Sequence, residues 1–121
     1  MHTVGVDIVE IRRIEEAVAR WGSRFLTRVY TETELAFYRS RAAELAARFA
    51  GKEAVMKALG TGNRGVAWRE IEILSNRRGK PEVYLHGRAK ARAEALGLKE
   101  IAISLSHSQE FAIATAVGAG E

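Results

Sequence analysis

Arg48-Phe49-Ala50-Gly51-Lys52-Glu53-Ala54-Val55-Met56-Lys57-Ala58-Leu59-Gly60 is the stretch around which the rest of the chain arranges itself. At about 100° per residue, Leu45, Phe49, Met56 and Leu59 fall on one face of a helix. Glu53 and Lys57, four residues apart, share one border of that face, Arg48 flanks the other, and Lys52 falls inside the apolar stripe. A charge inside a buried stripe is costly unless it is paired or its head reaches water. The helix stops at Gly60, and Gly60-Thr61-Gly62-Asn63-Arg64-Gly65 reads as a loop. Upstream, Thr31 followed by Glu34 is a capping box that opens the helical region. The stripe runs on from Leu35 and Tyr38 through Ala42, with a break near Ser40.

Outward from this helix the pattern changes. Thr3 to Val9 alternates, with Val4, Val6 and Ile8 on one face and Gly5 and Asp7 on the other, which predicts a short half-buried strand. Ile11, Ile14, Val18 and Trp21 then recur at helical spacing, so Glu10 to Trp21 is expected to be an amphipathic helix ending at Gly22. Beyond the glycine loop, Glu70 to Leu74 and Glu82 to His86 alternate as strands across a turn from Ser75 to Pro81. Gly87 to Leu96 is Ala- and Arg-rich and helical. Ile101 to Leu105 and Phe111 to Val117 form a hairpin around a loop of about five residues centred on His107. The expected class is α+β: an antiparallel sheet covered by helices on one side, in a single domain over residues 1–121.

Composition narrows the function. The 121 residues include 47% hydrophobic and 28% charged side chains, so the chain belongs with globular domains and not with disordered segments. No cysteine is present, which excludes disulfides, thiolate metal sites and a cysteine nucleophile. No apolar run approaches the ~20 residues of a membrane span, and no basic region precedes the first apolar stretch, so a cytoplasmic protein is expected. A formal charge of +4 leans towards an anionic partner without choosing between nucleic acid, an acidic protein and a phosphate-bearing small molecule.

Four segments carry chemistry-bearing residues. Glu53, Lys57, the neighbouring cations and the glycine loop suit a site for phosphate and Mg²⁺, while the plain alternative is a surface helix with one Glu-to-Lys pair. Asp7 interrupts an apolar strand. It either faces solvent, caps the helix that follows, or meets Glu53 at a metal, since Mg²⁺ is usually held by one or two carboxylates with substrate phosphates and waters. In Ser104-Leu105-Ser106-His107-Ser108 a histidine stands between hydroxyls, either as a turn residue or as a phosphate contact. The first helix presents Arg12, Arg13 and Arg20, followed by Arg24 and Arg28, as a solvated face or as a docking face for an acidic partner.

Taken in order, Gly5-Val6-Asp7-Ile8-Val9-Glu10, Arg48-Phe49-Ala50-Gly51-Lys52-Glu53-Ala54 with Lys57-Ala58-Leu59-Gly60, Ile71-Glu72-Ile73, Gly79-Lys80-Pro81 and Ser104 to Ser108 closely resemble the holo-acyl-carrier-protein synthases. These are the small single-domain branch of the phosphopantetheinyl transferases. The resemblance implies transfer of the phosphopantetheine arm of coenzyme A to a serine of acyl carrier protein in fatty acid biosynthesis. It also implies release of adenosine 3',5'-bisphosphate, dependence on Mg²⁺, and a homotrimer with sites at subunit interfaces. Matched by motif, Asp7 and Glu53 would bind Mg²⁺, and Lys57 would neutralise the pyrophosphate near Gly60 and Gly62. Arg48, His107 and Ser108 would line the nucleotide and its 3'-phosphate, and Arg13, Arg20 and Arg24 would face the carrier protein. Val9 stands where larger relatives carry a further acidic ligand, which leaves that coordination position to water. The Ile101–Leu105 and Phe111–Val117 strands would supply the shared interface.

Two other classes compete. A basic nucleic-acid-binding module is disfavoured because only 7% of residues are aromatic and the arginines of the first helix are interleaved with Glu15 and Glu16. A non-catalytic coenzyme A binder would keep Lys57 and the glycine loop but would not need Asp7. Asp7→Ala separates these readings: a transferase loses turnover by orders of magnitude in a steady-state assay while its circular dichroism is unchanged, whereas a nucleic-acid binder keeps its affinity.

Overall fold

The computed structural model describes residues 1–121. Strand β1 (His2–Glu10) leads into α1 (Ile11–Trp21), α2 (Ser23–Val29), α3 (Glu32–Tyr38) and the long α4 (Ala42–Leu59). A single 3-10 turn, Trp68–Glu70, precedes β2 (Ile71–Ser75) and β3 (Pro81–Leu85). Helix α5 (Gly87–Ala95), β4 (Leu98–His107) and β5 (Phe111–Gly120) complete the chain. The α+β class holds, and no helix is long and apolar enough to cross a membrane.

The strands form two sheets where one was expected. Strands β1, β5 and β4 pair antiparallel in that order, and β2 pairs with β3 separately. Edges β3 and β4 do not hydrogen-bond to each other, and a groove of ≈ 840 Å³ between them is walled by α5. The register of β4 slips between Leu98 and Glu100, next to this seam. Two helical pieces escaped the periodicity reading: α2, a single seven-residue segment, and the turn at Trp68. Both are too short to show a repeating stripe. The β4–β5 loop is three residues long and not five, because the ladder continues to the pair His107–Ala112.

Helix α4 is the centre of the molecule. It is buried nearly all round, including Leu45, Ala46, Ala50, Ala54, Val55, Met56 and Leu59, instead of along one stripe. It sits close to the three-stranded sheet because the facing residues are small. Ala112, Ala114 and Ala116 of β5 are buried beneath it. At Gly5 of β1 any Cβ would overlap the Ala54 carbonyl of α4, so only hydrogen fits.

That seating decides which face of β1 is buried. Gly5 and Val9 are buried and Asp7 half-buried towards α4, whereas Val4, Val6 and Ile8 lie on the outer face at 64%, 50% and 59% exposure. Phe111 and Ile113 of β5 extend the same outer face. Ile103 of β4 points inward, and its side chain together with that of Leu105 lies against Gly51 of α4, so β4 adds little to the exposed apolar surface.

Lys52, the charge inside the stripe, is fully buried and fully paired. Its Nζ donates to Glu34 Oε1 at 2.8 Å, to the Trp68 carbonyl at 3.2 Å and to the Ile71 carbonyl. The capping box is present at Thr31 and Glu34, and Glu34 also accepts from Thr31 N and Ile73 N. Burial pulls the Lys52 ammonium below its ordinary range while the Glu34 carboxylate opposes that pull. Removing one partner of such a pair typically costs about 3–5 kcal/mol.

Gly5→Ala tests the close seat of α4. The added methyl has no room against the Ala54 carbonyl, so destabilisation of about 3 kcal/mol is expected. Thermal unfolding followed by circular dichroism should show a midpoint lowered by roughly 10 °C.

Candidate functional site

The close packing of α4 on β1 brings the two acidic candidates together. Asp7 lies two residues beyond Gly5 on the helix-facing side of β1, and Glu53 precedes Ala54 on α4. They line one cleft of ≈ 440 Å³, whose other walls include Arg13, Ile14, Phe25 and Phe49. Lys57, one turn beyond Glu53, places its Nζ 3.2 Å from Asp7 Oδ1 and donates to the Val6 carbonyl at 2.8 Å. Asp7 is 14% exposed and Lys57 54%, so this cation opens to solvent while its partner is recessed.

The electrostatics follow from that crowding. Burial and then the Asp7 charge push the Glu53 carboxyl above its ordinary range, with Lys57 and Arg13 opposing the rise. Two like charges in one partly desolvated cleft disfavour each other's ionisation unless a cation joins them. The donor set is two hard carboxylate oxygens donors beside a lysine, and no cluster of three or more His, Cys, Asp or Glu side chains is present. That set fits a Mg²⁺ ion whose remaining positions come from substrate phosphates and water. Val9 is 7% exposed and apolar, and adds no ligand.

The glycine loop begins where expected. Gly60 caps α4 in the left-handed conformation at φ 73° and ψ 20°, and Thr61 N reaches back to the Met56 carbonyl at 3.1 Å. A Cβ at Gly62 would meet nothing within 4 Å, so the backbone there is open to approach. His107 is exposed at the end of β4, and Ser108 Oγ accepts from Glu110 N and Phe111 N, closing the hairpin turn.

Arg48 is corrected. Its side chain is 2% exposed, donates to Glu44 Oε1 at 2.8 Å, Ser75 Oγ at 3.0 Å and the Ile73 carbonyl at 3.3 Å, and lies 3.7 Å from the Tyr38 ring centroid. This guanidinium joins α4 to β2 and α3, and has no surface to offer a nucleotide. The wheel placed it on the border of an apolar stripe, but the second sheet covers that border too.

Arg13 lines the cleft, and Arg20 and Arg24 are exposed further along α1 and α2. Between them stands a residue the periodicity reading assigned to the buried stripe. Trp21 is 48% exposed, with the Arg20 and Arg24 guanidinium carbons 5.0 and 5.9 Å from its ring centroid. The signal available in the sequence was its place at the last position of α1, flanked by arginine one residue before and three after. A second unanticipated contact is the stack of Phe49 on Trp68, with centroids 4.7 Å apart, which backs one wall of the cleft.

Comparison with known proteins places this geometry in context. The 4'-phosphopantetheinyl transferase superfamily model matches residues 3–116. A holo-[acyl-carrier-protein] synthase of Herpetosiphon aurantiacus is 51% identical, over 99% of this chain and 100% of its own length. One from Dehalococcoides mccartyi is 52% identical, over 93% and 94%. Among solved structures, Helicobacter pylori holo-[acyl-carrier-protein] synthase in complex with coenzyme A superposes with a TM-score of 0.88 at 32% identity, covering 96% of this chain and 99% of that one. With identity at this level along nearly its whole length, the chain belongs to the holo-[acyl-carrier-protein] synthases, enzymes of the 4'-phosphopantetheinyl transferase superfamily.

Proposed function

We propose that this enzyme moves the 4'-phosphopantetheine group of coenzyme A onto a serine of an acyl carrier protein, with Mg²⁺ as its cofactor. The observation that carries the site assignment is the meeting of Asp7 and Glu53 in one cleft beside Lys57. The serine oxygen forms a bond to the phosphorus next to the pantetheine. The bond from that phosphorus to the bridging oxygen breaks, and adenosine 3',5'-bisphosphate leaves with the electron pair. Mg²⁺ held by Asp7 and Glu53 would neutralise charge on the diphosphate oxygens.

The chain's own groups do the rest. Lys57, exposed on the rim, turns from Asp7 to the diphosphate and stabilises the charge that develops on it. The serine proton goes to a carboxylate of the pair, either Glu53 directly or through a water. Gly60 and Gly62 let the phosphates approach the backbone, and His107 and Ser108 take the nucleotide side. Arg13, Arg20 and Arg24, with Trp21 between the last two, form the docking face for an acidic carrier protein. We place the reaction in the cytoplasm and in fatty acid biosynthesis, where a carrier protein needs its phosphopantetheine arm.

The same reading includes a homotrimer with sites shared between subunits. Its support is the outer face of the three-stranded sheet, where Val4, Val6, Ile8, Phe111 and Ile113 stand 40–64% exposed on two adjacent strands. A contiguous apolar patch of this kind marks an interaction surface. The interface is thereby moved from the β4–β5 hairpin to β1 and β5.

Two measurements test this reading. Incubating apo acyl carrier protein with the enzyme, coenzyme A and Mg²⁺ should add the mass of one phosphopantetheine group, and EDTA should abolish the gain. No gain from a folded sample would leave a coenzyme A binder without catalysis. Sedimentation should give a particle of three 13.3 kDa chains for the wild type. Ile8→Glu, a charge in the centre of the apolar face, should give single chains with little activity.

A further inference from the structure

Arg92 of α5 is engaged at only one edge of its guanidinium. Its Nε donates to the Leu59 carbonyl at 2.9 Å, one of the carbonyls left without an intrahelical partner at the end of α4. Burial of Ala89 and Ala93 seats α5, the helix that carries this arginine. The two terminal nitrogens have no acceptor in the protein, and Arg92 enters no ion pair, unlike Arg12, Arg41, Arg48 and Arg88. Nη2 lies 3.5 Å from the point where a Cβ at Gly60 would stand. The free end of the guanidinium is therefore held across the first glycine of the loop.

A cation at a helix C-terminus is favourable in itself, but one N–H bond meets that need. What remains is a fixed pair of charged donors next to a stretch of backbone that has no side chains in the way. We propose that Arg92 is a phosphate-binding residue of the coenzyme A site, anchored by Nε on Leu59 and presenting its terminal nitrogens to an anionic oxygen at the Gly60–Gly62 turn. This rests on the transferase reading above. Arginine suits this geometry: the guanidinium plane can donate Nε to the carbonyl while its terminal nitrogens point away towards a second acceptor, whereas a lysine must reach both acceptors from a single nitrogen.

Steady-state kinetics of the full-length enzyme with Arg92→Gln and Arg92→Lys test the assignment. Both variants should raise KM for coenzyme A about tenfold, as loss of a charge-assisted hydrogen bond predicts. Turnover and KM for the carrier protein should stay close to wild type, and the thermal midpoint should fall only by the few degrees that one lost helix-end hydrogen bond implies. A purely structural role predicts an unchanged KM for coenzyme A in both variants, with the change confined to the midpoint and rescued by Arg92→Lys. That result overturns the proposal. Repeating the series with 3'-dephospho-coenzyme A tells which phosphate is held. If the Arg92→Gln deficit disappears, it is the 3'-phosphate, and if it persists, the diphosphate. Should the wild type fail to transfer, the transferase reading falls on its own, and calorimetric titration of coenzyme A into wild type and Arg92→Gln decides the binding claim. Equal affinities, or no binding to either, refute it.

Discussion

The seat of α4 on the three-stranded sheet is the constraint from which the rest of the structure follows. A helix packs this near to a strand only where both sides give up their side chains. Here that is achieved by Gly5 under Ala54 and by the alanines of β5. The helix and strand backbones are then close enough for Asp7 and Glu53, each adjacent to the contact, to share a cleft. A looser interface filled with leucine would separate the two carboxylates and dissolve the site. The small residues facing α4 thus decide where the two carboxylates stand as well as how the helix packs.

The far side of α4 is organised by the opposite means. Lys52, Glu34 and Arg48 are buried charges, each with every side-chain nitrogen or oxygen in at least one hydrogen bond, and they join α4 to α3 and to the two-stranded sheet. Such networks add little net stability against apolar packing, but their geometry is exacting and they define one relative position for the elements they connect. The box at Thr31 and Glu34 caps a helix and also supplies the carboxylate that neutralises Lys52. One glutamate therefore sets where α3 begins and where α4 and β2 meet.

Between these two halves the site is open and polar at one end and apolar at the other. Asp7, Glu53 and Lys57 gather at the carboxylate end, and Phe25 and Phe49 wall the cleft towards α2. Arginines continue from Arg13 at the cleft to the elbow between α1 and α2, where Trp21 is exposed between two guanidinium groups. The glycine loop and α5 meet at the C-terminal end of α4, where Arg92 donates to the Leu59 carbonyl.

Local chemistry made much of this legible in advance. The capping box, the helix end at Gly60, the alternation of the strands and the spacing of Glu53 and Lys57 depend on residues a few positions apart, and all are found. What local pattern leaves open has one origin. Alternation in β1 says that Val4, Val6 and Ile8 share a face, but which face meets the helix depends on how closely α4 approaches, and Gly5 settles that. Arg48 looked like a border residue because nothing local announces a second sheet 25 residues downstream. The sequence by itself determined the longer helices and the strands, the family and the candidate acidic pair. Only the tertiary structure decided that the pair meets, that Arg48 is withdrawn from it and that Arg92 reaches the loop, because each depends on contacts between residues 25 to 50 positions apart, where no periodicity operates.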